Sequence, residues 1–212
     1  MLSASQANRR YFRQAYRTGE HGWEVEAPSP QAVSFLKRLA RLVPHGRLLD
    51  LGCGEGRHAI AAAGLGFRVT AMDIEPLALK RAQGMAKKGG ARSIVFRRAD
   101  ALRLPFADGS FEAVLDYGCL HHQRKEDWRA YQAGLLRVLA PGGFYVLSVF
   151  GPEFRLFAGS RRPWHIAQGA YRRYFTKKDI VALFGKKFEL LELIEQTRPQ
   201  RGFWHVLMRR RA

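Results

Sequence analysis

The parts of this chain that can do chemistry are three glycines at a strand end and four aspartates spaced from residue 50 to residue 116. The run Leu48-Leu49-Asp50-Leu51-Gly52-Cys53-Gly54-Glu55-Gly56-Arg57 carries a short apolar stretch straight into a glycine-rich turn. Glycine permits a tight turn and close approach of backbone to a ligand. The free N–H groups of a helix starting behind it can hydrogen-bond a carboxylate or a phosphate. The spacing is G-x-G-x-G, with Arg57 where the dinucleotide fingerprint G-x-G-x-x-G needs its last glycine. A strand-to-helix turn without a ligand is the alternative. Further on, Asp73 ends the apolar run before Ile74, where a carboxylate can accept from both hydroxyls of a ribose lying across the strand ends. Its alternative is a helix cap ahead of Pro76. Asp100, in Arg98-Ala99-Asp100-Ala101, follows a third apolar run and Asp116 closes a fourth.

The elements that must position these residues alternate helix and strand from Pro30 onward, which implies a parallel sheet. Ala32, Phe35, Leu36, Leu39 and Val43 recur at helical spacing before Pro44-His45-Gly46 breaks the pattern. Strands are expected at 48–51, 67–72, 94–96, 111–115 and 144–150, and helices at 59–65 and 76–88. A further helix, marked by Trp128, Tyr131, Leu135, Val138 and Leu139, should stop at Pro141-Gly142-Gly143. Residues 151–175 break the rhythm. A helix near 177–183 then leads to strands at 188–194 and 202–208, whose link Thr197-Arg198-Pro199-Gln200 suits an antiparallel hairpin. The expected fold is α/β: a doubly wound, Rossmann-like seven-stranded sheet, last strand antiparallel, helices on both faces. The chain reads as one domain, 1–212, with an N-terminal arm (1–30), a core (31–150), a basic aromatic insertion (151–175) and a C-terminal helix and hairpin (176–212).

Together these motifs resemble the class I S-adenosylmethionine-dependent methyltransferases, in the form common among small methyltransferases (methyltransferase domain 11/25-like). The likeness runs from about Pro30 to Gly143, with the C-terminal hairpin agreeing in outline. It implies S-adenosylmethionine as donor and S-adenosylhomocysteine as product. It also implies that the backbone of Gly52, Cys53, Gly54 and Gly56 cradles the donor while Asp50 supports its methionine amino group, often through water. Asp73, with Ile74 beside it, would hold the ribose; Asp100 and the Ala101 N–H would hold the adenine; Asp116 would face donor and acceptor. Asp100 as a turn residue, and Asp50 and Asp116 as acceptors for nearby backbone N–H groups, are the alternatives. His121 and His122 are the nearest candidate bases, since imidazole titrates near neutral pH. A pocket-lining role is the other reading, because relatives that methylate unrelated acceptors carry a similar Leu-His pair. Cys119 lies three residues after Asp116, as does the nucleophile of RNA cytosine-5 methyltransferases, but Gly118 replaces their proline and their second motif cysteine is missing. Covalent catalysis is not expected. The Asn-Pro-Pro-aromatic signature of amino-directed nucleic-acid methyltransferases is absent too, since these positions read Asp116-Tyr117-Gly118-Cys119.

Composition bounds the partners. The chain holds 36 Lys and Arg against 18 Asp and Glu, a net charge of +18, which attracts polyanions and makes nucleic acid a candidate partner. Apolar runs are strand-sized, so no membrane span is expected, and the first twenty residues lack a signal-peptide core, which points to the cytoplasm. Two cysteines are too few for a zinc cage, so no metal is expected. Acceptor choice should fall to the N-terminal arm, with Tyr11, Phe12, Tyr16 and Trp23, and to the insertion, where Phe154, Phe157, Trp164 and Tyr171 mix with Arg155, Arg162 and Arg172. The stretch from Trp23 to Pro30 resembles the corresponding segment of thiopurine and tellurite methyltransferases. A small-molecule acceptor is the expectation, with an RNA or protein methyltransferase, or a non-catalytic donor-binding scaffold, as alternatives.

Overall fold

The computed structural model describes residues 4–19, 27–157, 159–196 and 202–211. Trp23 and the link 197–200 lie outside these. Helix α1 (Ala4–Thr18) is followed by α2 (Pro30–Leu42), β1 (Arg47–Leu51), α3 (Arg57–Gly64), β2 (Arg68–Asp73), α4 (Pro76–Lys88) and β3 (Ile94–Arg98). Then come β4 (Phe111–Tyr117), α5 (Trp128–Val138), β5 (Leu139–Phe150), β6 (Trp164–Ala167), β7 (Ala170–Arg173), α6 (Lys177–Phe184), β8 (Phe188–Gln196) and β9 (Phe203–Arg210). Seven strands make one sheet in the order β3-β2-β1-β4-β5-β9-β8. The first five pair in parallel, and β9 runs antiparallel to both β5 and β8.

Neighbouring residues along the central strands go to opposite faces, so continuous apolar runs bury on both sides. Leu49, Val114, Tyr145 and Val206 join the core under α5 and α6. Their neighbours Leu48, Ala113, Val146 and Leu207 join the core under α2 and α3. Helix α2 starts as its sequence dictates: Pro30 occupies the first turn, the Ser29 side chain caps it, and Ala32, Phe35, Leu36 and Leu39 form the buried face. The cap of α4 is Glu75, which accepts from the Leu77 N–H. Asp73 is therefore not that cap.

Two other expectations change. Strand β5 begins at Leu139 and passes through Pro141-Gly142-Gly143, because a register shift opposite Phe111 and Ala113 absorbs the segment that sequence assigned to a helix stop. Within 151–175, β6 and β7 form a hairpin closed by Gln168 (φ 51°) and Gly169 (φ 80°), a two-residue turn with both φ values positive, which matches the twist of the flanking strands. Helix α1 lies against this hairpin, where the Tyr171 N–H donates to Asn8 Oδ1 at 2.8 Å. Among the described residues no helix is long and apolar enough to cross a membrane, and no cluster of His, Cys, Asp and Glu is suited to hold a metal ion.

Candidate functional site

Because β1 to β4 run in parallel, their C-terminal ends share one edge, and a cavity of about 1580 Å3 opens there. Its floor is the turn after β1. Gly52 and Gly54 have φ of 74° and 54°, and a Cβ on them would meet Cys119 Cβ and the Tyr16 hydroxyl, each at 3.0 Å. Glycine keeps this floor bare backbone. Gly56 also has a positive φ, 80°, but a Cβ there would meet Ala82 of α4 at 3.0 Å, and Gly56 does not line the cavity. Its role is helix packing, a correction to its reading as a donor contact.

Asp50, Cys53, Asp73, Ile74, Asp100 and Ala101 all line the cavity. Asp50 is buried, and its Oδ2 has no hydrogen-bond partner among the described residues. Burial, reinforced by the charges of Asp116 and Asp73, pushes its pKa up to about 7. Burial likewise pushes the Cys53 thiol up. Asp73 accepts from the Gly54 N–H through Oδ2 and from the Glu75 N–H through Oδ1, both at 2.9 Å. Burial raises its pKa. A carboxylate has about four lone-pair positions, so Asp73 keeps room to accept from a ligand as well. Asp100 takes the Leu102 N–H on Oδ1 and Arg9 of α1 on Oδ2 at 2.6 Å. A buried acid with one unsatisfied oxygen above a glycine cradle fits a ligand that brings an ammonium group, and Asp73 beside it fits a ribose.

Asp116 is corrected. It is fully buried, absent from the cavity wall, and engaged by the Cys119 N–H at 2.6 Å, the Leu120 N–H at 2.9 Å and the Tyr131 and Tyr145 hydroxyls. The end of β4 turns this side chain toward the α5 side of the sheet, where both tyrosines lie. Even with these donors, burial lifts its pKa to about 6. Asp116 anchors the turn that presents Cys119 to His122.

His121 and His122 reach the cavity wall. His121 stacks on Phe150 with ring centroids 3.7 Å apart, and its Nδ1 lacks a partner among the described residues. His122 Nδ1 sits 2.9 Å from the Tyr171 carbonyl, which accepts only from an N–H. The lone pair therefore resides on Nε2. Burial lowers the His122 pKa to about 4 and pulls His121 well below 6.5, so both rings are neutral at pH 7. Burial pushes the Cys119 thiol well up, which favours its neutral form.

Helix α1 forms the roof, with Tyr11, Phe12 and Tyr16 on the cavity wall. Sequence reasoning missed two of its polar residues. Arg9 pairs with Asp100, and Asn8 donates through Nδ2 to the His122 carbonyl at 2.8 Å while accepting from Tyr171. No local spacing could signal contacts that span 91 and 114 residues. His58 was also missed: it accepts from the Ser29 N–H at 3.1 Å, lies 4.3 Å from the Tyr117 ring, and burial lowers its pKa to about 3. Three arginines of the insertion stack on this chain's own rings, Arg162 over Trp164, Arg172 over Tyr11 and Arg173 over Trp128.

The strand order and the glycine turn make a Rossmann-like fold whose strand-end acids and cavity fit a nucleoside. Residues 48–143 match the model of the methyltransferase domain family. The chain is 32% identical over 128 residues to the 2-heptyl-1-hydroxyquinolin-4(1H)-one methyltransferase of Mycobacteroides abscessus, a match covering 60% of this chain and 55% of the relative. It is 36% identical over 138 residues to the 27-O-demethylrifamycin SV methyltransferase of Amycolatopsis mediterranei, covering 61% and 50%. The matched segments thus span about half the length of these curated relatives. The Burkholderia thailandensis 1,6-didemethyltoxoflavin-N1-methyltransferase, solved with 1,6-didemethyltoxoflavin and S-adenosylhomocysteine, shares the fold. Its TM-score is 0.81 at 24% identity, covering 100% of this chain and 92% of that one. Residues 48–143 are thus similar to the methyltransferase domain family over a little under half of the chain.

Proposed function

We propose that the protein transfers a methyl group from S-adenosylmethionine to a small-molecule acceptor. The observation that carries this reading is the unsatisfied Oδ2 of the buried Asp50 carboxyl on the wall of a glycine-floored cavity. When bound, the donor supplies a methyl carbon on a sulfonium, which passes to an acceptor lone pair as the carbon–sulfur bond breaks and its electron pair stays on sulfur. The chain's own work is positioning. Gly52 and Gly54 give backbone access, Asp50 holds the ammonium, Asp73 the ribose, and Asp100 with the Ala101 N–H the adenine. Helix α1 and the β6–β7 hairpin exclude water above them, and in-line positioning in a dry site removes roughly 7–11 kcal/mol of barrier in favourable cases. A proton leaving the acceptor can pass to the neutral ring of His121 or His122 and on to water.

A small acceptor agrees with the relatives, whose names give a hydroxyquinolinone and a rifamycin as substrates. In the same reading the chain is one domain, 1–212, in which 1–30 caps the donor site and 151–175 lies over the acceptor. A cytoplasmic site of action is supported by two unpaired thiols, Cys53 and Cys119. Calorimetry with S-adenosylhomocysteine tests the reading: one site of micromolar affinity is expected, and absence of binding at such concentrations removes it.

A further inference from the structure

The donor groups gather at the ends of β1 to β3, while the same cavity continues across the ends of β4, β5 and β9 with a different lining. Two sets of rings meet there. His121, Phe150 and Phe154 form one stack, with centroids 3.7 and 4.2 Å apart and planes within 10° and 25°. Tyr117, Phe203 and the fully buried His205 form a looser set, their centroids 6.0 Å apart pairwise, with Phe203 within 19° of Tyr117 and 14° of His205 and the other two tilted by 32°. The sets cross steeply, with Phe203 at 60° to Phe150 and 83° to Phe154. A flat aromatic guest entering such a corner meets ring faces on one side and ring edges on the other, the two arrangements that the aromatic quadrupole favours. A saturated guest gains only buried area.

One buried polar atom at this corner is unsatisfied among the described residues. His121 is 4% exposed, lines the cavity and keeps Nδ1 without a partner among the described residues. Its buried ring is neutral at pH 7, so one nitrogen carries a lone pair. A trapped water needs two to four polar partners, and the ring faces supply few. A hydroxyl or ring N–H on the guest needs only this one. The cavity also carries Arg155, Arg172 and Glu153, charges of both signs, so shape and ring character rather than net charge do the selecting.

We propose that this corner is the acceptor subsite and takes a planar aromatic molecule that directs a hydroxyl or ring N–H at His121 Nδ1. The proposal rests on the donor reading given above. The test uses the protein saturated with S-adenosylhomocysteine and three probes of one size: 2-naphthol, 2-methoxynaphthalene, which lacks the donor proton, and decahydro-2-naphthol, which lacks the rings. By calorimetry 2-naphthol should bind at least tenfold more tightly than either analogue. Phe154→Leu, which keeps bulk and loses the ring, should narrow the gap between 2-naphthol and its saturated analogue severalfold. His121→Phe should erase the preference for 2-naphthol over its methyl ether. Equal binding of all three probes, or no binding by any, overturns the proposal and leaves the donor reading standing. Failure of S-adenosylhomocysteine itself to bind overturns both.

Discussion

Replacing Asp73 with Ala separates a residue that holds a ligand from one that only holds the turn. Its carboxylate satisfies two backbone donors, the Gly54 N–H in the glycine turn and the Glu75 N–H at the start of α4. Orphaning a buried donor costs about 1–3 kcal/mol, so the fold should lose roughly 2–6 kcal/mol. Against a typical total of about 5–15 kcal/mol, most of that range leaves the protein folded at 25 °C. The hydrogen bonds from a ribose to a charged acceptor are worth about 1.5–3 kcal/mol, which is about a 10- to 150-fold rise in Kd. Disorder in the turn would weaken any nucleoside, so the assay is a thermodynamic cycle: adenosine and 2′,3′-dideoxyadenosine titrated into the parent protein and into Asp73→Ala. Adenosine should lose nearly all of that factor, and the dideoxy compound should lose little. Equal losses for both ligands would refute the role of Asp73 as the ribose acceptor.

Asp50 yields a pH prediction with a fixed sign. Its carboxyl is half-protonated near pH 7 in the free protein, and an arriving ammonium favours the charged form, so binding below pH 7 should release protons and affinity should rise from pH 6 to pH 8. Calorimetry in two buffers of different ionisation heat reads this release; proton uptake contradicts it. In the folded state the raised pKa makes Asp50 hold a proton that the unfolded chain gives up, so its contribution to stability falls as pH rises from about 4 through 7. Asp50→Asn should therefore flatten that decline in the thermal midpoint while weakening S-adenosylhomocysteine. Gly56→Ala should cost about 1–2 kcal/mol because φ at 56 is 80°, lowering the thermal midpoint by roughly 2–8 °C. An unchanged midpoint removes Gly56 from the packing role assigned to it.

What sequence could reveal depended on range. Strand alternation and the glycine turn are local signals, and the run from Leu48 to Gly56 already implied a strand feeding a close-approach turn. Strand β5 was harder, because Pro141-Gly142-Gly143 carries the chemistry of a helix stop and only a bulge opposite β4 lets it join the sheet. The direction of Asp116 was hidden for another reason. A carboxylate at a strand end looks the same in sequence whether it faces the ligand or, as here, two tyrosines contributed by α5 and β5. The hairpin in 151–175 had a readable signal, Gln168-Gly169, though glutamine is a rare occupant of positive φ. The roof was out of reach, since its residues find partners far along the chain.

That roof fixes an order of assembly. Arg9, Asn8 and Tyr11 dock on residues 91, 163 and 161 positions later, the last two in the β6–β7 hairpin. During synthesis α1 therefore leaves the ribosome well before its berth is complete, and Tyr11 waits for Arg172 after its neighbours can already meet Arg81, Asp100 and His122, an interval in which an exposed ring invites chaperones. A nascent chain arrested between Phe150 and Pro163 would already own every donor-holding residue yet lack the β7 half of the fastening for its cover.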